Sequence, residues 1–299
     1  MQPKQARQAT QLNRTKSQTQ QPTRLKPHNR SIGENRKMSI SAKDVKALRD
    51  ATGAGMMDAK KSLVECDGDM DAATQLLREK GLAKAAARSD RDNDEGTIAL
   101  AAADNVAAIV QIKTETDFSA KSDAVTSLAS AIADDVLMRG PGAANEHSAA
   151  IEDLRVKIKE NVELGTVERI EGAQGNTIDT YLHSQDGRGV NAVVVEGSGV
   201  SRDDLHQVAL HIAFAKPSYL SSDEVPAAEA DKERTSLLEI TKAEGKPEQA
   251  WDKIVDGRMR GWYAERVLLE QGLHGDKITV KSSLGGGSIA RFVQVVIGT

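Results

Sequence analysis

The first periodic hydrophobic pattern of the chain runs through residues 38–82 and predicts three short helices. Ser41, followed by Asp44 three positions later, has the form of a helix N-cap with an acidic residue in the first turn. Asp69 is the corresponding N-cap of the third helix, which we expect to end before Gly81. The apolar positions at helical spacing are Val45 and Leu48, then Met56, Ala59, Leu63 and Val64, then Ala72, Ala73, Leu76 and Leu77. The pattern therefore predicts a three-helix domain.

Residues 97–137 and 177–220 share a second pattern. Each opens with an alternating strand, turns through polar residues, returns through a β-branched strand and continues into an amphipathic helix. The polar turns lie at Asp104-Asn105 in the first segment and between Gln185 and Gly189 in the second. Residues 149–165, between the two segments, are predicted to be helical. We interpret the pair as a duplicated ββα core, which together with the N-terminal helices gives an α+β fold.

The chain beyond Pro217 is charged and helix-forming, with one break at residues 245–247. This pattern predicts a helical hairpin over about residues 223–269 that projects from the core, although two surface helices packed flat on a domain would show the same periodicity. A final strand is predicted at residues 291–298. The predicted organisation is a basic tail at 1–37, a three-helix domain at 38–82, a linker at 83–95, a first core subdomain at 96–165 and a second at 166–299.

The composition excludes several classes of protein. The chain has 299 residues, of which 39% are hydrophobic and 28% charged, as in ordinary soluble proteins. No apolar run approaches the roughly 20 residues that a membrane-spanning helix needs. The single cysteine and six scattered histidines give neither a disulfide nor metal-ligand spacing, so we expect no metal and no cofactor. No nucleophile, base and orienting group can be proposed together, which makes an enzyme the weakest interpretation. Cytoplasmic residence is the default expectation.

The first 37 residues are strongly basic, with nine lysines and arginines against one acidic residue, Glu34. They contain few large apolar side chains and cannot offset the entropy of ordering, so we predict a disordered tail. One interpretation is a dispensable extension in front of a domain that begins near Met38. The other is a weak, nonspecific contact with RNA.

Phe118 is one of only three phenylalanines, and it stands in the polar stretch "IKTETDFSAKSDA". It could pack beneath the helix that follows, as a hydrophobic staple. It could instead be an exposed aromatic anchor that a partner buries, as is common at protein interfaces. The residues alone leave both interpretations open.

Three stretches, "LRDATGAGMMDAKKSL", "TETDFSAK" and "VALHIAFAKPSYL", resemble bacterial elongation factor Ts, the family of guanine-nucleotide exchange factors for elongation factor Tu. The resemblance runs from about Ser39 to the chain end. It implies that the three-helix domain is similar to ubiquitin-associated domains and contacts the GTPase domain of elongation factor Tu. It further implies an intruding loop at Asp117 and Phe118, with Asp117 disturbing the magnesium site of the partner. The implied partner-binding residues are Arg49, Met56, Met57, Lys60, Thr116, Asp117, Phe118 and His183, the last against a distal domain.

Some positions bear on how far the resemblance extends. Helical spacing suggests that one of Met56 and Met57 faces the core and the other the partner. Lys159 stands where the family often has glycine, and the region after Gln271 is shorter than in many members. The rival hypothesis is a non-enzymatic adaptor or dimerisation protein that the basic tail tethers to RNA. The sequence does not decide between a monomer and a homodimer, or between a bacterial cytoplasm and an organelle.

Overall fold

The computed structural model describes residues 40–298, so the predicted basic tail lies outside the described residues. Three helices open the described chain: α1 (Ala42–Thr52), α2 (Met56–Glu65) and α3 (Met70–Ala86). The N-cap predicted at Ser41 is confirmed, because its hydroxyl accepts a hydrogen bond from the Asp44 N–H while the Asp44 carboxylate accepts from the Ser41 N–H. The helices pack around one small core of Val45, Leu48, Ala59, Leu63, Ala73 and Leu77.

A first antiparallel sheet follows, with the strand order β1-β2-β3. Its elements in chain order are β1 (Glu95–Ala103), β2 (Val106–Thr114), α4 (Asp117–Ala120), α5 (Asp123–Arg139), α6 (Ser148–Ile158) and β3 (Glu163–Glu171). The first hairpin turns at Asp104-Asn105 as predicted. The helix predicted through residue 165 was too long, since Lys159 adopts a left-handed conformation (φ 64°) that ends α6, and the residues beyond it pair with β2. The predicted subdomain boundary between residues 165 and 166 falls inside β3.

A second antiparallel sheet has the order β4-β5-β6. The elements of this part of the chain, in order, are β4 (Asn176–Gln185), β5 (Arg188–Ser198), α7 (Arg202–Ala215), α8 (Ala227–Ala243), α9 (Trp251–Arg266), α10 (Val280–Ser283) and β6 (Ser288–Val296). The hairpin between β4 and β5 turns at Asp186-Gly187, where both residues have positive φ. In each sheet the last strand joins the free edge of the second strand.

The two sheets pack against each other through an apolar layer. The residues of this layer are Ile98, Ala107, Ile109 and Ile170 from the first sheet and Ile178, Ala192, Val194 and Val295 from the second. A Cβ added at Gly189 would overlap the Ile98 carbonyl oxygen, so β5 reaches β1 only because that position is glycine. Helix α5 covers the outer face of the first sheet and α7 that of the second. The central strands β2 and β5 are therefore buried on both faces, which explains their continuous apolar sequences.

Helix α3 does not end before Gly81 as predicted but continues to Ala86. A Cβ added at Gly81 would lie 2.7 Å from Cγ1 of Val156 on α6. The glycine therefore serves close packing between the three-helix domain and α6 rather than termination of a helix. An ion pair between Arg78 and Asp153, at 3.4 Å, joins the same two helices.

Helices α8 and α9 occupy the stretch for which a helical hairpin is predicted. They pack on each other through an apolar cluster that draws only on residues between 219 and 267, with Val255, Met259 and Trp262 at its centre. Arg258 of α9 donates hydrogen bonds to the Thr241 hydroxyl and the Glu244 carboxylate near the end of α8. Across residues 40–298, none of the helices has the length and apolar character needed to cross a membrane.

Candidate functional site

All eight residues that the resemblance singles out are exposed. Four of them surround the turn between α1 and α2. Arg49 lies in the last turn of α1, while Met56 and Met57 open α2 and Lys60 follows one turn later on the same helix. The turn between them is short because Gly53 takes the left-handed conformation (φ 67°) that ends α1. These four residues form what we call the corner patch.

The expectation that one of the two methionines faces the core was wrong. Met56 is 48% exposed and Met57 is 64% exposed, and neither belongs to the core cluster of the three-helix domain. The inward face of α2 is already filled by Ala59, Ser62 and Leu63, and Met56 is the first residue of the helix. Both thioether side chains are therefore presented to solvent, where flexible methionines suit a binding surface.

Phe118 lies on α4, a single helical turn directly after β2, and is 76% exposed. The ring therefore does not pack beneath α5, and the hydrophobic staple interpretation was wrong. Thr116 caps the turn, since its hydroxyl accepts a hydrogen bond from the Ser119 N–H at 3.2 Å. The structure thus holds an apolar ring in water on a capped, hydrogen-bonded turn. We call residues 114–119 the Phe118 loop.

Asp117, beside Phe118, is also exposed and carries its charge at neutral pH. A hydrogen bond and ion pair with Lys121, at 3.2 Å, lower the pKa of the Asp117 carboxyl, and the positive charge of Arg188 lowers it further. The Lys121 ammonium also lies 6.0 Å from the centre of the Phe118 ring. A carboxylate and an aromatic ring are therefore offered side by side.

Arg188 joins the second sheet to the first beside the Phe118 loop. Its guanidinium donates a hydrogen bond to the Gly96 carbonyl at 2.6 Å and forms an ion pair with Glu95 at 2.8 Å. Glu95 is the cross-strand partner of Thr114, where β2 runs into the loop. Arg188 follows the β4–β5 turn, so this contact brings the tip of the second hairpin to the same edge of the protein as the loop. Periodicity gives no signal for Arg188, so no pattern in the sequence singles it out.

His183 lies on β4 close to that hairpin tip and is exposed. Its Nδ1 is 3.4 Å from the Tyr181 hydroxyl, and the two rings stack with their centres 6.4 Å apart. Tyr181 is itself held against the core beneath α7. His183 therefore has a fixed neighbour on one side and a face open to solvent on the other.

A groove of about 360 Å³ runs along the contact between the three-helix domain and α6. The turn at residues 51–55, which carries the corner patch, lines one side of it, and Lys157 and Lys159 line the other. Further basic side chains line it as well, namely Lys61, Arg78, Lys80, Lys84 and Arg88. Lys159 immediately precedes Glu160, whose carboxylate contacts the Phe118 loop. The groove thus extends from the turn beside the corner patch to the residue that precedes Glu160.

The candidate residues form exposed surfaces of the described part of the chain. Within residues 40–298 no cluster of three or more histidine, cysteine or acidic side chains is arranged to hold a metal ion. The one buried histidine of α7, His211, has its ring nitrogens hydrogen-bonded to Gln271 Oε1 and to the His274 N–H, and burial lowers its pKa. It therefore stays neutral and serves packing.

Comparison with known proteins finds matches to one family over most of the chain. The family model described as "Elongation factor TS" matches residues 115–299. "Elongation factor Ts" of Cutibacterium acnes is 41% identical over 277 residues, which cover 87% of this chain and 100% of the relative. The proteins of the same name from Clavibacter michiganensis and Alkalilimnicola ehrlichii are 37% and 38% identical, each over 87% of this chain and over 99% and 93% of their own lengths.

Proposed function

The chain belongs to the elongation factor Ts family, and on this premise we propose how its exposed residues act on elongation factor Tu. It is a translation elongation factor that acts as a nucleotide exchange factor, and such a factor catalyses no chemical reaction. The proposal is that it binds elongation factor Tu in the GDP state, promotes release of GDP and leaves a nucleotide-free site that GTP can fill. The observation that carries the proposal is the 76% exposure of Phe118 on a capped turn.

The exchange mechanism follows from linkage. A GTPase binds its nucleotide tightly through magnesium, phosphate-loop amides and ordered switch segments. A factor that binds the nucleotide-free state best weakens nucleotide binding by the same ratio by which the nucleotide weakens binding of the factor. Burial of the Phe118 ring by the partner would favour a displaced arrangement of the phosphate-binding elements, and the Asp117 carboxylate would disturb the magnesium ion. One ring is worth only a few kcal/mol, so other contacts must add to it.

The corner patch and His183 supply the additional contacts in this proposal. Arg49, Met56, Met57 and Lys60 would contact the GTPase domain through a three-helix domain similar to ubiquitin-associated domains. His183, on the hairpin that Arg188 ties to β1 beside the Phe118 loop, would contact a distal domain of the partner. Two hairpin-plus-helix units, each completed by a third strand, support the interpretation of the core as a duplicated ββα unit. The self-contained apolar cluster of α8 and α9 favours a hairpin that projects from this core.

The location, the possible contacts with RNA or a second copy, and the need for a cofactor are each considered in relation to this function. A factor that acts on elongation factor Tu works where translation takes place, so we propose the cytoplasm as its location. The mechanism requires neither a contact of residues 1–37 with RNA nor a homodimer, and an adaptor role has no support beyond those two. No cofactor enters the mechanism, since the magnesium ion and nucleotide belong to the partner.

The test is the rate of release of fluorescently labelled GDP from purified elongation factor Tu, followed by stopped flow. We expect substoichiometric amounts of this protein to accelerate release, because the factor dissociates when GTP rebinds. Excess unlabelled GDP should in turn weaken binding of the factor, as reciprocity demands. Release at the unstimulated rate over a wide range of factor concentrations would refute the proposal.

A further inference from the structure

The carboxylate of Glu160 accepts four hydrogen bonds from the Phe118 loop, although Glu160 lies 41 to 45 residues further along the chain than the donors, just beyond α6. We propose that Glu160 is the positioning residue that holds Phe118 in the conformation that binds the partner. This inference rests on the proposed function for its consequence in nucleotide exchange. Its structural part, the fixing of the loop, can be measured separately.

One oxygen of the carboxylate fixes the backbone at the start of the loop. Oε2 of Glu160 accepts hydrogen bonds from the N–H groups of Glu115 (3.1 Å) and Thr116 (3.2 Å). Thr114 is the last residue of β2, so these two N–H groups lie beyond the sheet and before the first turn of α4. Hydrogen bonds from backbone N–H groups to an ionised carboxylate are stronger than those between neutral groups. Glu160 thus accepts hydrogen bonds from the two N–H groups that no neighbouring strand pairs with beyond the end of β2.

The other oxygen fixes the cap of the helical turn. Oε1 accepts hydrogen bonds from the hydroxyls of Thr116 (2.8 Å) and Ser119 (2.6 Å). With its proton directed at Glu160, the Thr116 hydroxyl presents a lone pair to the Ser119 N–H at 3.2 Å, which is the cap of α4. A single helical turn has few hydrogen bonds of its own and is not stable without such support. The direction in which Phe118 points therefore depends on this carboxylate.

The contact is reciprocal, which makes it rigid. Glu115 Oε1 accepts a hydrogen bond from the Asn161 N–H at 2.6 Å, while Glu160 accepts one from the Glu115 N–H. The side-chain amide of Asn161 in turn donates hydrogen bonds to the backbone carbonyls of Ser89 (3.2 Å) and Arg91 (2.8 Å), which precede β1. The left-handed turn at Lys159 directs the chain so that Glu160 and Asn161 both face the loop. Three separate segments thereby hold one exposed ring.

The loss of exchange activity on removal of the Glu160 carboxylate depends on the fraction of time that the Phe118 loop keeps its binding conformation. When only a fraction of molecules has the binding conformation, the apparent affinity falls by that same fraction. A loop that is competent for about a tenth to a third of the time would lower the second-order rate constant of stimulated GDP release roughly 3- to 10-fold. If Glu160 acts through Phe118, this loss disappears once the ring has been removed.

The experiment compares the variants Glu160→Gln, Phe118→Ala and their double combination in the labelled-GDP assay, using the full chain. Glutamine keeps the size of the side chain, but its –NH2 group cannot accept the hydrogen bonds that one carboxylate oxygen now accepts. We expect the single variant Glu160→Gln to lose roughly 3- to 10-fold in the rate constant, and the double variant to match Phe118→Ala within about twofold. Glu168→Gln, an exposed glutamate on β3, is the matched control and should retain the wild-type rate.

Amide hydrogen exchange by NMR supplies the readout that does not depend on activity. In Glu160→Gln the amides of Glu115 and Thr116 should exchange roughly tenfold faster or more, as for a locally opened segment, while the amide of Ile112 in β2 keeps its protection. Unchanged protection of those two amides, or an equal loss of exchange activity with and without Phe118, would overturn the inference. If the wild-type protein itself failed to accelerate GDP release, the proposed function would fall, and the amide measurement would still decide whether Glu160 holds the loop.

Discussion

Replacement of Phe118 by alanine tests the proposed role of the ring in binding, because its exposure leaves it only a small part in folding. Full burial of a phenylalanine side chain is worth roughly 1.5–3 kcal/mol. The ring is 76% exposed in the free protein, so about a quarter of that value, roughly 0.4–0.8 kcal/mol, already contributes to folding. The remainder, roughly 1.1–2.3 kcal/mol, is available only when a partner buries the ring. The structure therefore predicts a large effect on exchange and a small one on stability.

The assay is the stopped-flow release of labelled GDP from elongation factor Tu, combined with thermal unfolding of the free variant. At about 1.4 kcal/mol per factor of ten, the lost burial corresponds to a reduction of roughly 5- to 50-fold in the rate constant of stimulated release. The melting temperature should change by no more than about 3 °C, since 1 kcal/mol shifts a protein of this size by only a few degrees.

Met138→Ala is the matched control for this variant. Met138 is 77% exposed, close to the 76% of Phe118. It lies near the end of α5, whereas the Phe118 loop lies near the start of that helix at Asp123, and the rise of the helix from Asp123 to Met138 is about 22 Å. We expect it to retain the wild-type exchange rate. The proposed role of Phe118 is refuted if the Phe118→Ala variant accelerates GDP release as fast as the wild type, or if both variants lose activity equally.

Two further predictions concern the scaffold. Gly189→Ala should lower the free energy of unfolding by about 1–3 kcal/mol, because the new Cβ would overlap the Ile98 carbonyl and separate the two sheets; Gly142→Ala, with open space around it, should show no such loss in urea unfolding. His211 is 3% exposed, and burial lowers its pKa in the folded protein below the unfolded value of about 6.5. The unfolded protein therefore binds a proton at His211 more readily than the folded protein, so the free energy of unfolding falls as the pH drops from about 6.5 toward the folded pKa. Melting temperatures measured from pH 7.5 to 5.5 should therefore fall more steeply for the wild type than for His211→Gln, and equal slopes would contradict this account.

The sequence alone determined most of the secondary structure and the family. Caps at Ser41 and Asp69 and the turn at Asp104-Asn105 depend on neighbouring residues, so they could be predicted locally and were confirmed. The motif around Phe118 carried the resemblance that the comparisons bear out. Where local rules failed, a distant segment overrode them. Gly81 did not end α3, because its missing side chain makes room for Val156 of α6.

Only the tertiary structure decided how the candidate site is built. The exposure of Phe118, and of both Met56 and Met57, depends on whether other segments cover them, which periodicity does not report. Glu160 contacts the Phe118 loop from 44 residues further along the chain, and Arg188 contacts Gly96 of β1, beside that loop, from 92 residues further along. Nothing in their local sequence distinguishes them from ordinary surface charges. Hydrogen bonds between distant residues form only once the fold has brought them together. The sequence therefore specified which ring a partner could bury, and the packing of three segments determined that the ring is held where a partner can reach it.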